Sequence, residues 1–320
     1  MGQRLDECRR QARASGRPLR IGVPEEYNVA ELTPTVRRAW ERTLRILAAR
    51  DAEIVPVALP ATRAALAAYY ILAPAEASSN LARYDGLRYG LRAAADRSSG
   101  GGSSKADAEA DAAGGTLFAP TRDAGFGPEV RRRILLGTYT LSAAAIGNYF
   151  VQAQRVRRLV QRDFDRVFAI PNCLVSGPVP DRADGQPDGQ PDRQLEGQPD
   201  RQPERQADGW AGWRRDGVDA IVVPTALGPA PLLDAVQRMG QVERYAGDVL
   251  TVPASLAGLP AVSVPVAEGV GMQVIAQWGD ERGLWCVARM VEEMGRRGQG
   301  FDDGVTWVGY DDDAVPARTA

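Results

Sequence analysis

The sequence predicts an α/β protein on three grounds: short apolar runs closed by proline, helical periodicity between them, and enough apolar residues to bury a core. Residues 19–23 form a short apolar run stopped by Pro24, residues 34–49 repeat their apolar positions at helical spacing, and residues 53–57 form a second run. Strand, helix, strand in that order is the α/β pattern. The chain has 320 residues, 44% hydrophobic and 25% charged, which is material for one large domain or two modest ones.

The next elements follow from the same rules. A helix is expected over 61–72, with Pro74 near its end because proline removes a helix hydrogen bond. Residues 97–116 turn to glycine, serine, alanine and acid without apolar periodicity, so they read as a flexible insertion. From Pro128 a long helical stripe is expected through Tyr139, Ser142, Ile146, Tyr149, Ala153, Val156 and Val160, with Arg155, Arg157, Arg158 and Arg162 largely off it. Residues 181–208 repeat Gly-Gln-Pro-Asp and Arg-Gln-Pro-Glu units, too polar and proline-rich to pack, and are expected to be a disordered surface loop. Strands are expected at 218–223, stopped by Pro224, and at 261–264 and 272–278, followed by a helix over 280–294. Both insertions read as decorations on one domain over 19–310, with a lead-in at 1–18 and a loose tail at 311–320.

Composition removes several functions. The chain has no histidine, so a catalytic triad or a metal site built on histidine is excluded within it. Its only lysine is Lys105, and arginine stays protonated, so lysine-type base chemistry has one candidate. A net charge of -2 gives no broad basic footprint for nucleic acid. Cys8, Cys173 and Cys286 are odd in number and lack Cys-x-x-Cys spacing, which argues for a reducing compartment and for buried or idle thiols. No run has the length of a membrane span. The arginine-rich start faintly suggests a mitochondrial presequence, but Asp6 and Glu7 interrupt it, so a solvated lead-in is the expectation.

Three stretches carry chemistry-bearing residues. Ser98 to Lys105 superficially matches a serine–lysine site or a phosphate cradle, yet no strand leads in and the flanks are low in complexity, so it reads as a linker. In Gly125 to Ile134, Pro128 and Glu129 specify a helix start. Arg131, Arg132 and Arg133 then point about 100° apart, so at most one or two face a given pocket. Arg133 shares its face with Gly137 and Thr140, small residues expected to leave room for a ligand, and a solvated basic face is the equal alternative. Asp248 precedes an apolar, proline-punctuated segment, where a carboxylate is costly to bury unless paired. A guanidinium and a carboxylate together suit the two charges of an α-amino acid, whereas a helix or turn cap is the plainer role for Asp248.

The runs Arg20 to Tyr27, Tyr69 to Gly86, Gly125 to Thr138 and Thr251 to Pro265 closely resemble the A subunits of glutamyl-tRNA(Gln) amidotransferases, within the amidase-signature family. The segments Tyr27 to Leu32 and Ile146 to Phe150 are most similar to fungal mitochondrial members. The resemblance implies an amidase-signature fold, a mixed sheet flanked by helices and incomplete on its N-terminal side. It implies hydrolysis of glutamine, with ammonia passed on to amidate glutamate on tRNA(Gln). The partners it implies are an amidotransferase B subunit, a small accessory subunit, and Glu-tRNA(Gln) held mainly by the B subunit, with no membrane. ATP and Mg would be used by the partner subunit, with no cofactor bound by this chain; the implied location is the mitochondrial matrix. Arg133 and Asp248 match the family's glutamine-recognising arginine and aspartate, and Tyr69 its pocket tyrosine. The family's serine nucleophile, bridging serine and lysine base lie ahead of the strand that starts here at Leu19, so no catalytic residue is expected in this chain. Ser255 replaces the usual asparagine, and 266–271 lack the usual proline-cysteine-glycine and Leu-Pro-Val pattern. A non-catalytic binding or scaffold protein, or a hydrolase of another amide, are the alternatives; the Arg133 and Asp248 pair argues against the latter.

Overall fold

A computed structural model describes residues 16–93, 118–174 and 214–296. The expected insertions at 97–116 and 181–208 and the tail at 311–320 lie outside these residues, as do Lys105 and Cys8. The chain divides into two compact units, Met1–Arg63 with Leu159–Ala320, and Ala64–Arg158.

The first unit is built on a five-stranded mixed sheet. Its strands are β1 (Arg20–Pro24), β2 (Glu53–Val57), β3 (Ala220–Pro224), β4 (Ala261–Ala267) and β5 (Val270–Ile275), in the order β2-β1-β3-β5-β4. β1 pairs parallel with β2 and β3, and β5 pairs antiparallel with β3 and β4. All five residues of β3 are buried, as an apolar run at the centre of a covered sheet should be. Helix α1 (Pro34–Ala48) starts with Thr33, whose hydroxyl accepts from the Val36 N–H, and with proline in its first turn. Its buried Trp40 donates from Nε1 to the Val222 carbonyl of β3 at 2.9 Å, which satisfies the one polar atom of a large apolar side chain.

β4 and β5 are a hairpin in which Ala267 pairs with Val270, with a bulge between Pro265 and Ala267. Glu268 and Gly269 form the turn, and Gly269 takes φ +66°, which suits a tight hairpin connection. The departure at 266–271 therefore falls on the end of β4, the two-residue turn and the start of β5. The expected strand over 272–278 ends at Ile275.

Arg17, near the end of the expected solvated lead-in, is held by a two-pronged contact to Asp219, Nη1 to Oδ2 at 3.0 Å and Nη2 to Oδ1 at 2.6 Å. Asp219 also accepts from the Arg20 N–H at 2.9 Å, so this carboxylate fixes the entry into β1. The last helix of the described chain, Glu281–Arg296, follows Asp280, whose Oδ1 accepts from the Gly283 N–H at 3.1 Å.

The second unit starts with α2 (Ala65–Leu81). The expected end near Pro74 is overturned: Pro74 lies inside the helix and is buried. Helix α3 (Ala119–Gly125) and helix α4 (Pro128–Thr140) follow. α2 packs on α4. The two approach so closely that a Cβ placed on Gly137 would lie 2.5 Å from the Pro74 carbonyl carbon and 2.9 Å from Ser78 Cβ. That packing fixes Pro74 in the helix interior even though proline forfeits a helix hydrogen bond.

The long stripe from Pro128 is also corrected. The helix ends at Thr140, residues 141–149 are turn, and α5 (Phe150–Val167) follows. Tyr139 is 58% exposed, Ile146 39% and Tyr149 43%, whereas Ala153 and Val160 are buried. The apolar period therefore marks a buried face only within α5. Of the four arginines expected off the stripe, Arg155, Arg158 and Arg162 are exposed and Arg157 is half-buried.

Candidate functional site

Arg133 and Tyr69 belong to the unit Ala64–Arg158, and Asp248 to the other. Each is therefore described in its own surroundings.

Arg133 sits on α4 one turn before Gly137, on the face that also carries Thr140. Its side chain is 38% exposed, and its Nε donates to Glu129 Oε1 at 3.0 Å. Arg132 Nη1 donates to Glu129 Oε2 at 2.6 Å, so one carboxylate holds two neighbouring guanidinium groups. Arg131 points elsewhere and pairs with Asp123 at 3.5 Å, both exposed. The three arginines thus separate as helix geometry requires, and only two share a partner. The expectation that Gly137 and Thr140 leave room for a ligand is corrected. Both are buried, Gly137 against Pro74, and Thr140 Oγ1 donates to the Gly137 carbonyl at 3.0 Å. These small side chains serve helix packing.

Sequence reasoning missed the role of Glu129, assigning it only to the positive end of the helix. The i,i+4 spacing to Arg133 was the available signal. With Nε engaged by Glu129, an acidic ligand reaching Arg133 would be met by a guanidinium whose orientation is already set by its own helix.

Tyr69 lies on α2, half-buried, with its ring edge-on to Tyr70 at 5.3 Å between centroids. Asp248 lies in the turn before α8, which we define as Val252–Ala257 after the short helices α6 (Leu233–Arg238) and α7 (Gln241–Ala246). Its backbone carbonyl accepts from the Thr251 N–H at 3.1 Å and the Val252 N–H at 3.0 Å. The backbone of Asp248 thus starts α8. The residue is exposed, so the burial cost anticipated for its carboxylate does not arise. α8 ends at Gly258, φ +77°, whose N–H donates to the Ala254 carbonyl at 3.0 Å, the left-handed stop that glycine supplies. Ser255, the replacement for asparagine, is exposed and donates from Oγ to the Thr251 carbonyl at 3.4 Å.

A groove of about 430 Å³ in the second unit is lined by residues that include Phe118, Arg122, Phe126, Arg131 and Ile134. Its α4 residues belong to a different face from Arg133. Among the described residues no group of three or more histidines, cysteines and carboxylates gathers to hold a metal, and no helix is long and apolar enough to cross a membrane. Cys173 and Cys286 are free thiols, and Cys286 is exposed rather than buried.

The model of the family described as Amidase matches residues 3–194 and 192–285. The chain belongs to the amidase family. The A subunit of the mitochondrial glutamyl-tRNA(Gln) amidotransferase of Tuber melanosporum is 45% identical over 296 residues, covering 91% of this chain and 51% of that protein. The corresponding protein of Podospora anserina is 48% identical over 278 residues, covering 85% of this chain and 49% of the relative. This family member therefore spans about half the length of the curated relatives it matches. Among solved structures, an amidase is similar with a TM-score of 0.51 at 20% identity, over 87% of this chain and 46% of that one. That likeness, with the family match, makes the mixed sheet and its helices an amidase-signature fold.

Proposed function

We propose that this chain is the substrate-gripping part of a glutaminase that supplies ammonia for converting Glu-tRNA(Gln) to Gln-tRNA(Gln) in mitochondrial translation. The observation that carries the reading is the 45% to 48% identity, over 85% to 91% of the chain, to fungal relatives named as mitochondrial A subunits. Glutamine carries a carboxylate and an ammonium on one carbon. Arg133, oriented by Glu129, suits the first, and Asp248, an exposed residue, suits the second. Tyr69 offers a half-buried ring for the apolar stem between head group and amide. Held this way, the side-chain amide is presented for attack, and water and glutamine yield glutamate and ammonia.

On this proposal the serine nucleophile, bridging serine and lysine base of that hydrolysis are supplied by residues outside this chain. Its sole lysine, Lys105, falls in the glycine- and serine-rich stretch already read as a linker. A B subunit would use ATP and Mg, hold the charged tRNA and receive the ammonia, with a small accessory subunit joining the assembly in the mitochondrial matrix. The test is ammonia release. The purified chain is expected to liberate none from glutamine above background; turnover that disappears on Lys105→Ala would show that the chain carries its own catalytic centre.

A further inference from the structure

Helices α3 and α4 form a groove of about 430 Å³ whose lining residues all belong to the unit Ala64–Arg158. Its α4 side is Arg131, Ile134, Leu135 and Thr138, which recur at steps of one, three and four residues and so share one helix face. Arg133 lies on the other side of that helix. Phe118, Phe126, Ile134 and Leu135 give the groove apolar walls. Leu135 is 72% exposed, and Phe126 is met edge-on by Tyr84 at 6.3 Å between ring centroids. Large apolar side chains grouped around an open groove mark a binding surface rather than a core.

Charge in the groove is unbalanced. Two guanidinium groups, Arg122 and Arg131, line it with one carboxylate, Asp123. Asp123 stands against Arg131 at 3.5 Å, both exposed, so that pair is weakened by water. Arg122 has no carboxylate partner among the described residues. Its Nη2 donates to the Ala82 carbonyl at 2.8 Å, its guanidinium carbon lies 5.7 Å from the centre of the Phe118 ring, and its Nε is buried without a hydrogen-bond partner. The carbonyl and the ring hold the guanidinium in place, and a positive charge so held beside apolar walls is short of an anion.

We propose that this groove binds a small organic anion, a single carboxylate on an apolar stem. The carboxylate meets Arg122, and the stem lies along Phe118, Phe126, Ile134 and Leu135. Two positive charges against one negative call for one further negative charge, and the volume is that of a small-ligand site. The apolar walls disfavour a strongly hydrated dianion such as phosphate. The test is octanoate added to the full chain and followed by NMR at the methyl groups of Ile134 and Leu135, with octanol as the probe that lacks the charge and acetate as the probe that lacks the stem. Octanoate is expected to give saturable shifts at both residues, octanol to bind about tenfold or more weakly, and acetate to give no shift. Arg122→Gln is expected to weaken octanoate about tenfold or more and to leave octanol unchanged. Should Arg122→Gln not fold, Thr138→Glu, at an exposed position on the α4 side, sets a carboxylate beside that of the ligand and is expected to cause the same loss for octanoate alone. The absence of saturable shifts with octanoate, or octanoate binding unchanged in the variants, overturns the site. Equal affinity for octanoate and octanol overturns the role of Arg122 and with it the proposal.

Discussion

Replacing Gly137 with alanine tests the packing of the second unit in a way that separates two opposed effects. In an isolated helix the change is favourable, by about 1 kcal/mol, because alanine loses less backbone freedom. Here the new methyl group would lie 2.5 Å from the Pro74 carbonyl carbon, where ordinary contacts begin at 3.4 Å. The shortfall, 3.4 minus 2.5, is about 0.9 Å, and the obstacle is backbone within a helix, which cannot rotate away. α2 and α4 must therefore separate, losing contact along the interface that holds Pro74 in place. Overpacking of this kind costs about 1–3 kcal/mol, and the propensity gain offsets only part of it. Because the obstacle is backbone, the upper part of that range applies, about 2–3 kcal/mol, and the expected net loss after the propensity gain is about 1–2 kcal/mol, read as a lower urea midpoint at unchanged slope. A variant as stable as the parent, or more so, would show that the close approach does not exist.

Three further outcomes follow from single side chains. Asp219→Ala deprives Arg17, whose side chain is 7% exposed, of this carboxylate, and is expected to cost about 3 kcal/mol of unfolding free energy; a loss below about 1 kcal/mol would place the pair effectively in solvent. Tyr27 is 2% exposed and its hydroxyl has no hydrogen-bond partner among the described residues, so Tyr27→Phe is expected to be neutral or stabilising by up to about 1 kcal/mol. Burial pushes that phenol up, so an alkaline titration followed by the ultraviolet absorbance of tyrosinate should lose one late-ionising tyrosine in the variant. Asp163 has a raised pKa, so the folded state binds its proton more tightly than the unfolded state. Its unfavourable contribution is present above the folded pKa and fades as pH falls to the ordinary carboxylate value. Asp163→Asn should therefore flatten the pH dependence of stability in that window; a curve parallel to the parent's would contradict the shift.

The sheet was legible because its strands are short apolar runs, two of them ended by Pro24 and Pro224, and Glu53–Val57 and β3 fall where the pattern places them. The second unit was harder to read. Pro74 looked like a helix end because proline usually is one, and only the partner helix, meeting it through Gly137, holds it inside. The stripe from Ser142 to Tyr149 repeated at helical spacing without being helical, and Ile146 and Tyr149 are exposed, since periodicity reports which residues share a face only once a helix exists. Hydrogen bonds formed between distant segments, such as Asp163 to Ala61, leave no local pattern at all. The roles of Arg133, Asp248 and Tyr69 toward glutamine were assigned through resemblance. Spacing left the first two ambiguous, and Glu129 was visible four residues before Arg133 but was assigned only to the helix dipole.

The central claim is that Arg133 and Asp248 grip the head group of glutamine, and titration calorimetry of glutamine into the chain and its Arg133→Ala and Asp248→Ala variants tests it most directly. Truncating either charged partner should weaken binding by about thirtyfold or more, with the fold unchanged by circular dichroism. Equal affinity in all three proteins, or no binding in the parent, would contradict it.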